Sequence, residues 1–121
     1  GAVCLVVEKP LSINVTQVVV KNSRSAMSII AKNFYNRACD KLKIITVVGT
    51  NGKTSITYIM HEILNSCGVK SAIIGTNGTQ VNGKTINSKL TTPDPIELHY
   101  LFEQLYNLNI HKCNQRTSWF F

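Results

Sequence analysis

Ile44-Ile45-Thr46-Val47-Val48-Gly49-Thr50-Asn51-Gly52-Lys53-Thr54-Ser55 is the stretch on which the fold turns. Residues 44–48 are all β-branched, the composition of a strand buried on both faces. A glycine turn follows at once, and an amphipathic helix is predicted from about Lys53 to Ser66. Gly49 and Gly52 let the backbone curl close to an anion. The curled backbone would aim successive N–H groups inward, and the helix start adds its positive dipole end. Lys53 is placed to reach β- and γ-phosphates, and the Thr54 hydroxyl to bind Mg²⁺. The full Walker spacing asks for a glycine six residues before the lysine, where this chain has Val47. Only the Gly-Lys-Thr half matches, so its position between strand and helix carries the assignment. The competing reading is a chance glycine turn ahead of a helix.

Outward from the loop, Ile56, Ile59, Met60, Ile63 and Leu64 recur at helical spacing as an apolar face, with Gly68 as the stop. A strand at 71–75 completes a strand–helix–strand unit, hence a parallel pair with a right-handed crossover. Residues 79–87 hold Asn82-Gly83 at their centre, the signature of a hairpin. Leu90–Pro95 reads as a loop, with Asp94 capping a helix at 96–107 that points Leu98, Leu101, Phe102 and Leu105 inward. On the other side, short apolar runs at 3–7 and 17–20 read as strands. Asn22-Ser23 caps a helix at about 24–35, with Ala26, Ile29, Ile30 and Phe34 on one face. Residues 36–43 read as a polar connector and domain boundary. The fold class is therefore α/β: the start of a P-loop, three-layer, parallel-sheet ATPase domain, preceded by the end of a smaller α/β domain.

Composition narrows the function. The chain has 121 residues, 44% hydrophobic and 16% charged, with a net charge of +7. These are globular proportions. The basic residues are scattered without aromatic neighbours, which argues against a nucleic-acid partner. Four cysteines, Cys4, Cys39, Cys67 and Cys113, form no CxxC pair, which disfavours a zinc or redox motif. No segment approaches the roughly 18 apolar residues of a membrane span, and the first residues lack the form of a signal peptide. The expected compartment is the cytoplasm. His61, His99 and His111 read as surface or core filler, and Glu62, Glu97 and Glu103 as solvated helix charges.

The Gly49-Thr50-Asn51-Gly52-Lys53-Thr54-Ser55 loop resembles the ATP loop of the Mur ligase family and of its relative folylpolyglutamate synthase. Leu90-Thr91-Thr92-Pro93-Asp94-Pro95, Ile73-Ile74-Gly75-Thr76, and Gly1–Glu8 with Ser23-Arg24-Ser25-Ala26-Met27 resemble one branch of that family. That branch adds the third amino acid to UDP-N-acetylmuramoyl-L-alanyl-D-glutamate in peptidoglycan biosynthesis. The resemblance implies ATP-dependent amide formation through an acyl phosphate. It implies ATP on Gly49, Thr50, Asn51, Gly52, Lys53, Thr54 and Ser55, magnesium on Thr54, and the UDP-muramyl-dipeptide on Thr91 and Thr92. The last two also read as a loop beside a helix cap. It further implies residues 1–40 as the end of a UDP-muramyl-binding domain and 41–110 as the start of the central ATP-binding domain. The incoming amino acid, diaminopimelate or lysine, is left open.

The sequence departs from the family at Val48, where threonine is usual. It lacks the Glu-Val-Ser-Ser-His segment, the carbamylated lysine and the Asp-Asn-Pro-Arg motif. Residues 111–121 show no periodicity and read as an aberrant tail. A one-nucleotide shift through His111-Lys112-Cys113-Asn114 permits the apolar strand that the family has there, which suggests a frameshift. The chain is therefore expected to be inactive alone. The alternatives are a small phosphate-binding module and another P-loop enzyme, such as a kinase or folylpolyglutamate synthase.

Overall fold

The computed structural model describes residues 1–75, 78–81, 84–86, 94–110 and 112–116. Strands β1 (Cys4–Val7) and β2 (Thr16–Val19) form a small parallel pair, in register Cys4 to Thr16. Helix α1 (Ser23–Phe34) follows, started by Asn22, whose side chain accepts from the Ser25 N–H at 2.8 Å. This is the cap expected of an Asn-Ser pair. The Glu8 carboxylate ties β1 to the helix start, accepting from the N–H and hydroxyl of Ser23, both at 2.8 Å. These bonds hold its carboxyl below the usual range.

After a 3-10 turn at Ala38–Lys41 come β3 (Lys43–Val47), α2 (Lys53–Ser66), β4 (Ser71–Gly75), β5 (Gly78–Val81), β6 (Lys84–Ile86), α3 (Pro95–Asn107) and β7 (Lys112–Arg116). The large sheet has the order β3-β7-β4-β5-β6. β3, β7 and β4 are parallel, whereas β4, β5 and β6 run antiparallel in sequence. The hairpin strands appear as expected, although Asn82-Gly83 lies outside the described residues.

Two expectations about the sheet need correction. β3 and β4 are parallel but not neighbours, because β7 lies between them, with Cys113 opposite both Ile44 and Ala72. Residues 112–116, read from the sequence as part of an aberrant tail that fits no element, are thus a central strand. Their Lys-Cys-Asn-Gln-Arg sequence carries no strand pattern. The backbone donors and acceptors that fill the ladder are the same for every non-proline residue.

The core lies between the sheet and α3. Ala72, Ile74 and Val81 pack with Leu101, Phe102, Leu105 and Ile110, so α3 buries the face read from its sequence. Asp94 caps it, accepting from the Glu97 N–H at 2.8 Å, with Pro95 in the first turn. The segment read as a polar connector adds Ala38 and Leu42 to this same core. Alternation along β4 turns Ser71 and Ile73 to the opposite face, where α2 lies. α1 docks on α3 through Tyr35 and Tyr100, edge-on at 5.8 Å, and through the Asn36 amide, which donates to Glu103 at 2.7 Å. Glu103 is therefore a bonded group and not a merely solvated charge.

The apolar faces of α1 and α2 are covered only in part, with Ala26, Met60 and Leu64 half-buried. On α2, Ile56, Ile59 and Ile63 are 48%, 58% and 57% exposed, while Thr57 and His61 are buried. On α1, Ile29, Ile30 and Phe34 are exposed and Ala31 is buried. The strands β1 and β2 are also more open than their apolar runs suggest, with Val3, Val6, Val18 and Val19 exposed. Periodicity shows that a helix carries an apolar stripe, but not what lies against it. Among the described residues no helix is long and apolar enough to cross a membrane.

Candidate phosphate-binding site

The carboxyl ends of β3, β7 and β4 share one edge of the sheet, since the three strands are parallel. In open α/β sheets this edge is where ligands bind. The chain leaves β3 at Val47, opposite Arg116 of β7, and passes through Gly49, Thr50, Asn51 and Gly52 into α2. The four loop residues are exposed, and so is Ser55 in the first turn of the helix. Lys53 and Thr54 are half-buried at the helix start.

Gly52 is the N-cap of α2 and sits in the left-handed region, at φ 75° and ψ −4°. A side chain there would be strained. Gly52 also brings no side-chain acceptor to the first N–H groups, and the first turn has no acidic residue. The helix N-terminus is therefore left with uncapped donors and its partial positive charge. At Gly49 a Cβ would meet only ordinary contacts, the closest being the Asn51 carbonyl oxygen at 3.7 Å. What favours glycine there is the backbone, at φ 159°, and not packing.

The Lys53 ammonium folds back over the loop. It donates to the Gly49 carbonyl and, at 3.2 Å, to the Thr50 carbonyl. The cation thus hangs over the ring of residues that the sequence assigned to phosphate. One turn on, the Thr57 hydroxyl donates to the Lys53 and Thr54 carbonyls at 3.0 and 2.8 Å. The arrangement can take an anion by directing N–H groups, a helix dipole and a mobile ammonium at one point. For a metal, Thr54 offers a hard oxygen that suits magnesium. Among the described residues no group of three His, Cys, Asp or Glu side chains could hold a metal by itself.

Thr91 and Thr92, the residues assigned to the second substrate, lie outside the described residues. His99 and His61 are buried, in keeping with core filler. His99 packs edge-on against Phe102 at 5.8 Å, and burial pushes its imidazole below the ordinary value, helped by Lys32. Sequence reasoning missed that Thr57 and His61 form the buried side of α2. It also missed that the strand ending beside the loop is β7. The family's own strand at that point was the one available signal for β7.

Comparisons with known proteins place the chain in a family. Residues 47–113 match the Mur ligase middle domain. The chain is 43% identical over 118 residues to UDP-N-acetylmuramoyl-L-alanyl-D-glutamate–2,6-diaminopimelate ligase of Geobacillus thermodenitrificans, covering 98% of this chain and 24% of that protein. It is 41% identical over 116 residues to the Clostridium acetobutylicum ligase 1 of the same name, covering 96% and 24%. A solved structure of such a ligase superposes with a TM-score of 0.83 at 26% identity, over 98% of this chain and 24% of that one. The chain thus spans about a quarter of the length of the relatives it matches. On the match at residues 47–113, the chain belongs to the Mur ligase family, whose middle domain it carries in part.

Proposed function

We propose that this chain is part of an ATP-dependent amide ligase that adds the third amino acid to UDP-N-acetylmuramoyl-L-alanyl-D-glutamate in peptidoglycan synthesis. The observation that carries this reading is the uncapped N-terminus of α2 with Lys53 folded over it, at the carboxyl edge of three parallel strands. ATP would lie with its phosphates on Gly49–Ser55, oriented by the backbone N–H groups and by Lys53. Magnesium, when bound through Thr54 and the phosphates, would neutralise charge on the triphosphate. Thr91 and Thr92 would meet the muramyl-dipeptide. Because the relatives named above act with 2,6-diaminopimelate, that amino acid is preferred to lysine. The work of these residues is positioning and charge stabilisation, and the cytoplasm supplies the nucleotides such chemistry needs. In this reading residues 1–40 close a UDP-binding domain and residues 41–110 open the ATP-binding one.

The 121 residues by themselves would bind ATP without ligating. Their sequence has neither the family's glutamate for a second metal contact nor its motif for the incoming amino acid. The test is ADP release by the purified chain with ATP, magnesium, the muramyl-dipeptide and diaminopimelate. ATP binding without substrate-dependent ADP release is expected. Turnover that Lys53→Ala abolishes would show that these residues suffice for catalysis. Absence of ATP binding by the folded chain would overturn the reading of the loop.

A further inference from the structure

The two buried residues of α2, Thr57 and His61, are both polar. His61 Nδ1 lies 2.7 Å from Ser71 Oγ on β4, the Asn65 amide nitrogen lies 3.1 Å from His61 Nε2, and the Ser71 hydroxyl donates to Asn65 Oδ1 at 3.4 Å. Each of the three side chains can give one hydrogen and take one, so the three contacts can close into a ring. Ser71 is fully buried and His61 is 5% exposed, so the bond between them is shielded from competing water, while Asn65 closes the ring from the exposed side. Thr57, one turn earlier on the same side, is also fully buried. At 100° per residue, Ile56, Ile59 and Ile63 fall nearly on the opposite side of the helix, and about half of each is exposed.

Apolar burial therefore does not select the face that α2 presents to the sheet. Burial is non-directional and would favour the isoleucine side, whereas hydrogen bonds are directional and fix an angle. We infer that the His61–Asn65–Ser71 ring is a positioning device which sets the rotation of α2, and so aims the phosphate loop at its N-terminus. The inference rests on the ATP-binding reading of the loop. Its leverage is geometric. A turn of about 20° moves a Cα on the 2.3 Å helix cylinder by about 0.8 Å. Hydrogen bonds to phosphate tolerate only a few tenths of an ångström, so a small rotation misaligns the first N–H groups, Lys53 and Thr54 together.

The experiment measures ATP affinity, with magnesium, for the purified chain by calorimetry, with far-UV circular dichroism to confirm folding. His61→Ala is expected to weaken ATP binding about tenfold, the factor attached to losing one or two well-aligned bonds. Ser71→Ala, which removes only the hydroxyl, should act in the same direction and stands in if His61→Ala does not fold. Ile59→Gln alone should leave affinity unchanged, because Ile59 is largely exposed. Combined with His61→Ala it should restore most of the lost affinity, since the competing apolar side is weakened. A purely structural ring would show no such rescue, and loss without rescue overturns the inference. It is also overturned if His61→Ala and Ser71→Ala fold and bind ATP like the wild type while Lys53→Ala does not. If Lys53→Ala binds ATP like the wild type, the loop assignment itself falls and takes this inference with it.

Discussion

Replacing Lys53 with alanine separates the contribution of the ammonium from that of the loop backbone, and the structure sets its size. Before ATP arrives, the ammonium already donates to the Gly49 and Thr50 carbonyls. Phosphate binding therefore exchanges partners and does not add a bond to an unsatisfied cation. A charge-assisted hydrogen bond contributes about 1.5–3 kcal/mol, and the ammonium's existing bonds to two carbonyls, which lack an anionic acceptor, offset part of that on binding. The substitution removes the difference, about 1–2 kcal/mol, so ATP affinity should fall about 5- to 30-fold. It should not vanish, because the uncapped N–H groups of α2 and the helix dipole remain. Lys53→Arg keeps the charge but replaces a compact ammonium with a broad planar fork, and should recover only part of the loss. The assay is calorimetric titration with ATP and magnesium at one fixed salt concentration, since a half-exposed cation is screened. Equal affinity in wild type and Lys53→Ala would refute the phosphate-loop assignment. A loss beyond about a thousandfold would refute the partner-exchange argument, because more than about 4 kcal/mol exceeds what one lysine contact supplies.

Two further outcomes follow from the packing around α3. Asp94→Ala removes the side-chain acceptor of the Glu97 N–H, and should lower stability by about 1 kcal/mol in urea unfolding. Burial beside Phe102 pushes the His99 imidazole below the ordinary value, favouring its neutral form. In the unfolded chain that imidazole takes up a proton below about pH 6.5. The unfolded state then binds more protons than the folded one, so this stability is full above about pH 6.5 and is lost as the pH falls towards the lower folded value. Thermal melts at about pH 7.5 and about pH 5.5 should show a drop in the wild type that is smaller in His99→Leu; equal drops would refute the assignment.

The sequence by itself determined the local features: the strand before Gly49, the start of α2 at Lys53, the Asp94 and Asn22 caps, the β5–β6 hairpin and the inward face of α3. Each is encoded within a few residues, as a cap, a glycine or a repeating stripe. The candidate site was legible for the same reason, since a phosphate loop is one contiguous turn whose donors are its own backbone. What only the tertiary structure decided depends on partners distant in sequence. Lys112–Arg116 enters the sheet between β3 and β4 through backbone bonds that its side chains do not announce. The isoleucines of α2 face outward although their spacing reads as a core face, because the other side of that helix meets Ser71. His61 and Asn65 are one helical turn apart and visible as a pair. Their third member arrives only because the chain turns back at Gly68 and runs β4 beneath the helix. A stripe of residues states what a surface is made of, and only long-range pairing settles what that surface meets.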